Sequence, residues 1–404
     1  MGVFTREDLK RFQAESLGDK FQRSLAKVGE WYQRWNNEVY VSFSGGKDST
    51  VLADICARWC KITNAILYLV FVNTGLEYPE IRKHVEFFAQ WLRDRYEIEV
   101  VLEIFRPEMR FDEVIQKYGY PLISKEISQS IYEGRGKPST RSYQKFVEGS
   151  KVASRWKGQF SLAKWKPLLD SDIPIAHHCC GVMKKKPLKK YEKKTGRKPL
   201  IATLAEESRL RATEWMKHGC NAFDNVRPLS VPMSFWTEQD VLKYIRDESL
   251  PIASVYGEIV EQDGKLVTTG CERTGCMFCA FGCHLEKSPT RFERLKETHP
   301  RQYEYCIGGG EYAWSAKVKT SSKWRAFNFV KENGEKMSPD EIESFVETHR
   351  TDEKYMFSKV WVPNRQGLGM GHIFDELNYI YGEGFVRYMS RSEWLDRLLG
   401  GDDG

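Results

Sequence analysis

Apolar residues recur at helical spacing through the first 36 positions, at Leu9, Phe12, Leu17, Phe21, Leu25, Val28, Trp31 and Trp35. That periodicity predicts one or two amphipathic helices packed by one stripe on a larger body. The period then shortens. Val39–Phe43 is a brief apolar run that predicts a strand, and it breaks at the turn Ser44-Gly45-Gly46-Lys47-Asp48-Ser49. Val51, Leu52, Ile55, Cys56 and Trp59 mark one face of the helix that follows. A strand is expected over 66–72, then a helix opened by Pro79 with Ile81, Val85, Phe88 and Leu92 inward, then a strand over 98–104. After a long polar excursion another strand is expected over 199–204. Strands alternating with helices of this length pair in parallel and carry helices on both faces. The expected fold is therefore α/β with a doubly wound, mostly parallel sheet. From about residue 287 the alternation fades. The pattern divides into N-terminal helices over 1–36, an α/β domain over 37–286 and a C-terminal extension over 287–404.

Composition narrows the class. The chain of 404 residues is 41% hydrophobic and 29% charged, which supports a sizeable core and excludes a mainly disordered or fibrous protein. No apolar run approaches the roughly 18 residues that span a bilayer. The opening MGVFTREDLKRFQ places charges where a signal peptide carries its apolar segment. A cytoplasmic protein without a membrane partner is expected; the oligomeric state is left open. The net charge is only +6, and its location matters more than its size. Residues 135–166 hold nine Lys or Arg and a single Glu, interleaved with Tyr143, Phe146, Trp156, Phe160 and Trp165. Residues 184–198 hold nine more bases in fifteen positions. Cations that grip a phosphate backbone and rings that stack on bases make 135–198 a candidate surface for nucleic acid. A loop packed on its own domain and a solvated helical face are the alternatives.

The turn after the first strand is the most informative stretch. Two adjacent glycines let the backbone take positive φ and approach an anion without a Cβ in the way. The helix starting near Asp48 aims its free N–H groups and dipole at the same place. Ser44 and Ser49 add hydroxyls and Lys47 a cation. The result is a phosphate cradle at the carboxyl end of a parallel strand, where open α/β sheets bind ligands. It lacks the G-x-x-x-x-G-K-[ST] spacing of a Walker A loop.

This octet resembles the pyrophosphatase (PP) loop of the adenine nucleotide α-hydrolase superfamily. Phe71-Val72-Asn73-Thr74-Gly75-Leu76-Glu77-Tyr78-Pro79-Glu80 is similar to the D-T-G…P-E segment of phosphoadenosine phosphosulfate (PAPS) reductases, with Asn73 where those enzymes carry Asp. Pro228-Leu229, Trp236 to Val241 and Tyr244-Ile245 match that family's last nucleotide-domain helix, and Tyr256 its L-Y position. The resemblance spans about residues 36–285 and points to the PAPS reductase-like branch. It implies a nucleotide-binding domain over 37–286 that holds an adenine nucleotide through Ser42, Ser44, Gly45, Gly46, Lys47, Asp48 and Ser49. Glu206-Glu207-Ser208-Arg209-Leu210-Arg211 resembles the reductases' R-R-E-x-S-x-x-R, with Leu204 and Ala205 at the two arginine positions. Glu206, Ser208 and Arg211 therefore join the candidate nucleotide site, with ordinary helix-surface charge as the alternative.

Six of the ten cysteines fall in two groups, Cys179-Cys180 and Cys271, Cys276, Cys279 and Cys283. Such grouping points to a metal centre in a reducing compartment. The segment from Cys179 to Leu188 is similar to the double-cysteine motif of adenylyl-sulfate reductases. This resemblance implies a [4Fe-4S] cluster on Cys179, Cys180, Cys276 and Cys279. The compact spacing C-x4-C-x2-C-x3-C offers a second set with Cys271 and Cys283 as alternates, and Zn2+ is an alternative metal for either.

Two catalytic readings follow. In the first, ATP with Mg2+ lies on the loop, Lys47 and Asp48 serve the chemistry, and cleavage at the α-phosphate adenylates an acceptor for iron–sulfur-dependent sulfur transfer, with a nucleic acid as one acceptor and a sulfur-donor or electron-donor protein as partner. In the second, the chain is a PAPS or adenylyl-sulfate reductase that releases sulfite. The intact Gly-Gly-Lys-Asp-Ser loop favours the first, as does the lack of cysteine after Cys306, where the reductases carry E-C-G-L-H. A non-catalytic nucleotide- or nucleic-acid-binding regulator is the third reading.

Overall fold

The computed structural model describes residues 3–147, 162–320 and 323–389. The chain divides into two compact units, Met1–Arg110 with Cys180–Met277, and Phe111–Cys179 with Phe278–Gly404.

In the first unit the N-terminal periodicity becomes two helices, Arg6–Gln13 and Leu17–Arg34. Thr5 and Ser16 start them, their hydroxyls accepting from the N–H groups of Asp8 and Asp19. Leu9, Val28 and Trp31 are buried in the main core, and Phe12, Leu17, Phe21, Leu25 and Trp35 pack against it. Lys20, itself buried, donates to Asp240 at 2.7 Å and so ties the second helix to the helix Glu238–Asp247.

The sheet of this unit has strands β1 (Val39–Ser42), β2 (Leu67–Val72), β3 (Val100–Phe105), β4 (Lys198–Leu200), β5 (Asn221–Ala222) and β6 (Leu229–Ser230). Their spatial order is β3-β2-β1-β4-β6-β5, parallel throughout except for the β5–β6 edge pair. Val39, Val41, Leu67, Leu69 and Phe71 face one core with the helices Lys47–Thr63 and Pro79–Tyr96. Tyr40 and Val70 face the other side, where Tyr191 of the helix Lys186–Thr195 covers them. The doubly wound α/β fold expected from the alternation is the one formed. The strand expected over 199–204 is shorter. Beyond the single pair Leu200↔Ser230 the two-residue β6 has no more backbone to offer, and the chain turns at Ala205–Glu207, with Leu204 N–H donating to Glu207 Oε2 at 3.0 Å.

His84 is buried on the helix Pro79–Tyr96, its Nε2 3.1 Å from Thr50 Oγ1, and burial lowers its pKa to about 4. The folded protein thus holds a neutral imidazole. As pH falls from about 6.5 to about 4, the unfolded chain gains a proton that the folded one refuses, so stability present above that window is lost within it. The loss amounts to about 3 kcal/mol. His84→Gln is expected to flatten this decline, read as urea midpoints at pH 7 and 4.5; parallel declines for both proteins would contradict it.

The second unit contains the helices Phe111–Tyr118, Lys125–Gly134, Arg291–Thr298 and Pro300–Ile307, and the short parallel pair Leu122–Ile123 with Ala280–Phe281. It also holds an antiparallel sheet with Glu311–Thr320 between Lys323–Phe327 and Tyr355–Val362. The helix Pro339–His349 covers one face of that sheet through Ile342, Phe345 and Val346 on Trp314, Ala316, Phe327 and Phe357. Among the described residues no helix is long and apolar enough to cross a membrane.

Candidate active site

The order of the sheet reverses at β1: the chain leaves it first toward β2 and later returns on the other side as β4. The crevice at the carboxyl ends of such neighbouring strands is where open α/β sheets bind ligands. The loop after β1 carries Ser44 to Ser49, and the segment after β4 carries Glu206 to Arg211. The two flank the same switch point.

Gly45 has φ +73°, and a Cβ there would lie 2.8 Å from Val85 Cγ2 and 2.9 Å from Ile81 Cγ2. Both the conformation and the close approach require glycine. Gly46 is the N-cap of the helix Lys47–Thr63, so no side chain occupies the first turn. Ser44 Oγ and Ser49 Oγ are 3.0 Å apart, and Ser49 Oγ also donates to Gly46 O at 2.9 Å. The hydroxyls brace the loop that would receive an anion. Ser42 is the last residue of β1.

Lys47 is only 5% exposed, with its Nζ 3.1 Å from Glu238 Oε1 and 5.5 Å from the centre of the Tyr256 ring. Tyr256 Oη accepts from Lys47 N–H at 3.4 Å and meets Thr274 Oγ1. Burial raises the Asp48 carboxyl above its usual range, against the pull of Lys47, Arg273 and Arg211. A half-buried carboxylate beside a phosphate cradle suits Mg2+, which takes one or two carboxylates together with substrate phosphates.

Glu206 accepts from Glu238 N–H at 2.5 Å and so caps the helix Glu238–Asp247, whose Thr237 hydroxyl accepts from Asp240 N–H. Burial raises the Glu206 carboxyl. Ser208 is likewise a cap: its Oγ accepts from Arg211 N–H at 3.3 Å, starting the helix Arg209–His218. Arg211 pairs with Glu207, which also holds Arg273 at 2.8 Å, and burial followed by the repulsion of Arg273 lowers the Arg211 guanidinium. A cavity of about 560 Å³ opens beside Lys47, bounded among others by Glu206, Thr237, Glu238, Leu242 and Leu266. Sequence reasoning missed Glu238, Arg273 and Thr274. Glu238 sits inside the matched stretch from Trp236 to Val241, so its motif was visible, though its pairing with Lys47 was not.

The loop after β2 is self-braced. Thr74 N–H and Oγ1 both donate to Glu77, Gly75 N–H donates to Asn73 Oδ1, and Glu77 lies 3.5 Å from Lys184 Nζ. Burial would depress Lys184, and the Cys276 thiol, Glu77 and Cys180 outweigh it, holding the ammonium above its usual value. Lys186 and Lys190 pair with Glu108 on the surface.

In the first unit Cys180 and Cys276 both act on Lys184, and burial, then Asp48 and Cys271, raise the Tyr256 phenol. In the second unit Cys279 and Cys283 both face Arg291, and burial pushes Cys283 up to about 12. The boundary between the units runs between Cys179 and Cys180 and between Met277 and Phe278. No disulfide joins any of the ten cysteines. Among the described residues no group of three His, Cys, Asp or Glu side chains is placed to hold a metal ion.

The basic-aromatic tract is partly structural. Phe146 and Trp165 are buried, and Trp165 packs against His284, Tyr381 and Phe385. Arg135 donates to the carbonyls of Leu168, Leu169 and Ile173, and burial lowers it to about 10. These two rings cannot serve as stacking surfaces, because a core position leaves no face for a base. Trp156, Phe160 and the bases between 148 and 161 lie outside the described residues.

Residues 38–133 and 139–281, more than half of the chain, match the phosphoadenosine phosphosulfate reductase domain. The chain belongs to that family. The match takes in both loops of this PAPS reductase-domain protein, the helix Glu238–Asp247 and all six grouped cysteines except Cys283. No curated protein matches the chain. Among solved structures, the NMN synthetase from Francisella tularensis is 12% identical over 59% of this chain and 72% of its own, with a TM-score of 0.30. The NH3-dependent NAD synthetase from Campylobacter jejuni is 11% identical over 59% and 75%, also at 0.30. The U34-tRNA thiolase NcsA from Methanococcus maripaludis with its [4Fe-4S] cluster is 16% identical over 71% and 76%, at 0.29.

Proposed function

We propose that this chain binds ATP on the loop Ser44–Ser49 and cleaves it at the α-phosphate, passing the adenylyl group to an acceptor. The acceptor's nucleophile attacks the α-phosphorus, the bond to the bridging oxygen breaks, and pyrophosphate leaves with the electron pair. The observation that carries this reading is the complete cradle after β1: a Gly45 at positive φ that admits no side chain, a helix started by Gly46, and a buried Lys47 at its mouth. Lys47 would exchange Glu238 for phosphate oxygens, and its charge would grow in value as negative charge builds on the leaving group. Mg2+ would supply neutralisation of the phosphates, with Asp48 the residue to hold it. Arg211 and Arg273 would face the same anion. Sulfur transfer to the activated acceptor, a [4Fe-4S] cluster on the grouped cysteines and a nucleic acid as acceptor belong to this reading through the cysteine and charge patterns alone. The family's own name favours a second reading, reduction of PAPS or adenylyl sulfate.

Anaerobically purified protein incubated with ATP and Mg2+, with and without tRNA or DNA, is expected to release pyrophosphate. Parallel incubations with PAPS and adenylyl sulfate plus thioredoxin test for sulfite. Sulfite without ATP consumption would overturn the adenylation reading. Iron content measured for Cys179→Ser/Cys180→Ser against Cys271→Ser/Cys283→Ser separates the two ligand sets.

A further inference from the structure

The antiparallel sheet of the second unit is electrically two-sided. The helix Pro339–His349 on its inner face carries Asp340, Glu341, Glu343 and Glu347 and no Lys or Arg. Of the bases on the strands, Arg325 and Lys359 share the helix's face, opposite Val318 and Trp314, while Lys317 and Lys319 lie on the outer face with the single acid Glu311.

Register fixes what the outer face presents. Ala316 and its partners Phe327 and Phe357 point to the helix. Successive strand residues alternate faces, so Lys317 with its partners Ala326 and Met356, and Lys319 with its partner Trp324, point the other way. All five are exposed; Trp324 keeps 41% of its surface in solvent and Met356 49%. Lys319 Nζ lies 6.0 Å from the Trp324 ring centre. The two lysines stand two residues apart on the central strand, about 7 Å, with Trp324 to one side and Met356 to the other. Glu311 is six residues from Lys317, about 20 Å along the strand.

An outward sheet face normally needs only polar residues. Here a tryptophan and a methionine remain in water beside lysines, with no acid among these five side chains. That combination suits a partner that is anionic and offers flat rings. We infer that this face binds a single-stranded nucleic acid, its phosphates on Lys317 and Lys319 and an unpaired base on Trp324. A single strand is favoured over a duplex because an unpaired base has a free face to offer the ring. The inference concerns a surface outside the nucleotide domain and stands whether or not the chain adenylates anything.

The test is fluorescence anisotropy of labelled twelve-nucleotide oligouridine and oligothymidine with the full-length protein. Saturable binding that weakens with salt is expected. Lys317→Gln/Lys319→Gln should weaken it at least tenfold and lower the log–log salt slope by about 1.4 for two lost contacts on a single strand. Trp324→Ala should weaken it at least fivefold, with Trp324→Phe restoring most of the loss. The lysines are exposed, so the double variant should melt with the wild type, which keeps the result readable if Trp324→Ala proves unstable. Unchanged affinity in the lysine variant, equal or tighter binding of a duplex, or displacement of the oligonucleotide by polyglutamate at the same charge concentration would each overturn the inference, the last in favour of an acidic protein partner.

Discussion

Lys47→Ala should lower ATP-dependent pyrophosphate release about 10²–10³-fold, the usual loss when one preorganised electrostatic contact to developing charge is removed. Lys47 is almost entirely buried and held by Glu238 at 3.1 Å and by the Tyr256 ring, so its ammonium is fixed before a nucleotide arrives. Fixing it in advance means that little reorganisation is left for the reaction itself. Lys47→Arg should recover only part of the rate, because a planar fork does not reproduce a point charge in a closed loop. Glu238→Gln tests the same geometry in the other direction. It removes the carboxylate that competes for Lys47 and repels phosphate, so the dissociation constant for ATP should fall several-fold. Equal rates for Lys47→Ala and the wild type, in a protein that still melts normally, would remove Lys47 from the chemistry.

Asp54→Ala is the substitution expected to cost the most stability. Asp54 is fully buried on the helix Lys47–Thr63, seven positions after Lys47. Its Oδ1 accepts from Tyr96 Oη at 2.7 Å, and its Oδ2 from Tyr244 Oη at 2.7 Å and from Arg58 Nε at 2.9 Å. Arg58 continues to Glu248. Burial, and then the Asp54 charge, push both phenols up, so both stay protonated and donate. Three elements converge on one carboxylate: the helix of the phosphate loop, the helix Pro79–Tyr96 and the helix Glu238–Asp247 that supplies Glu238. Truncation strands two phenols and a guanidinium, and breaking a buried charged network of this kind costs about 3–5 kcal/mol. Urea unfolding should show that loss, with Asp54→Asn roughly halfway because an amide oxygen can still accept. A loss below about 1 kcal/mol in Asp54→Ala would mean that water replaces the carboxylate.

The phosphate loop was legible in the sequence because its parts are contiguous. Strand, Gly-Gly turn and helix follow one another directly between Val39 and Thr63, and local rules alone place the N–H groups, the hydroxyls and Lys47 around one point. The N-terminal helices were legible for the same reason, their apolar stripe being read within one segment. Glu206 and Ser208 were found by resemblance, and their principal hydrogen bonds are structural: one caps the helix that supplies Glu238, the other its own helix. Phe146 and Trp165 left two readings open, since a ring among lysines reads alike whether it faces solvent or a core of distant residues, and burial settles both for the packed one.

By itself the sequence determined the alternation of strand and helix, the phosphate loop and the grouping of the cysteines, all consequences of short-range spacing. Only the tertiary structure decided the partners. Glu238 is 191 positions from Lys47, Tyr244 is 190 from Asp54, and Arg273 is 66 from Glu207. Long-range pairing of this kind is set by which side chains the sheet order brings to one edge. The outer face of Lys317, Lys319 and Trp324 is a case of the same rule: the alternation of a strand says that two faces exist, and only the helix packed on one of them says which is left to solvent.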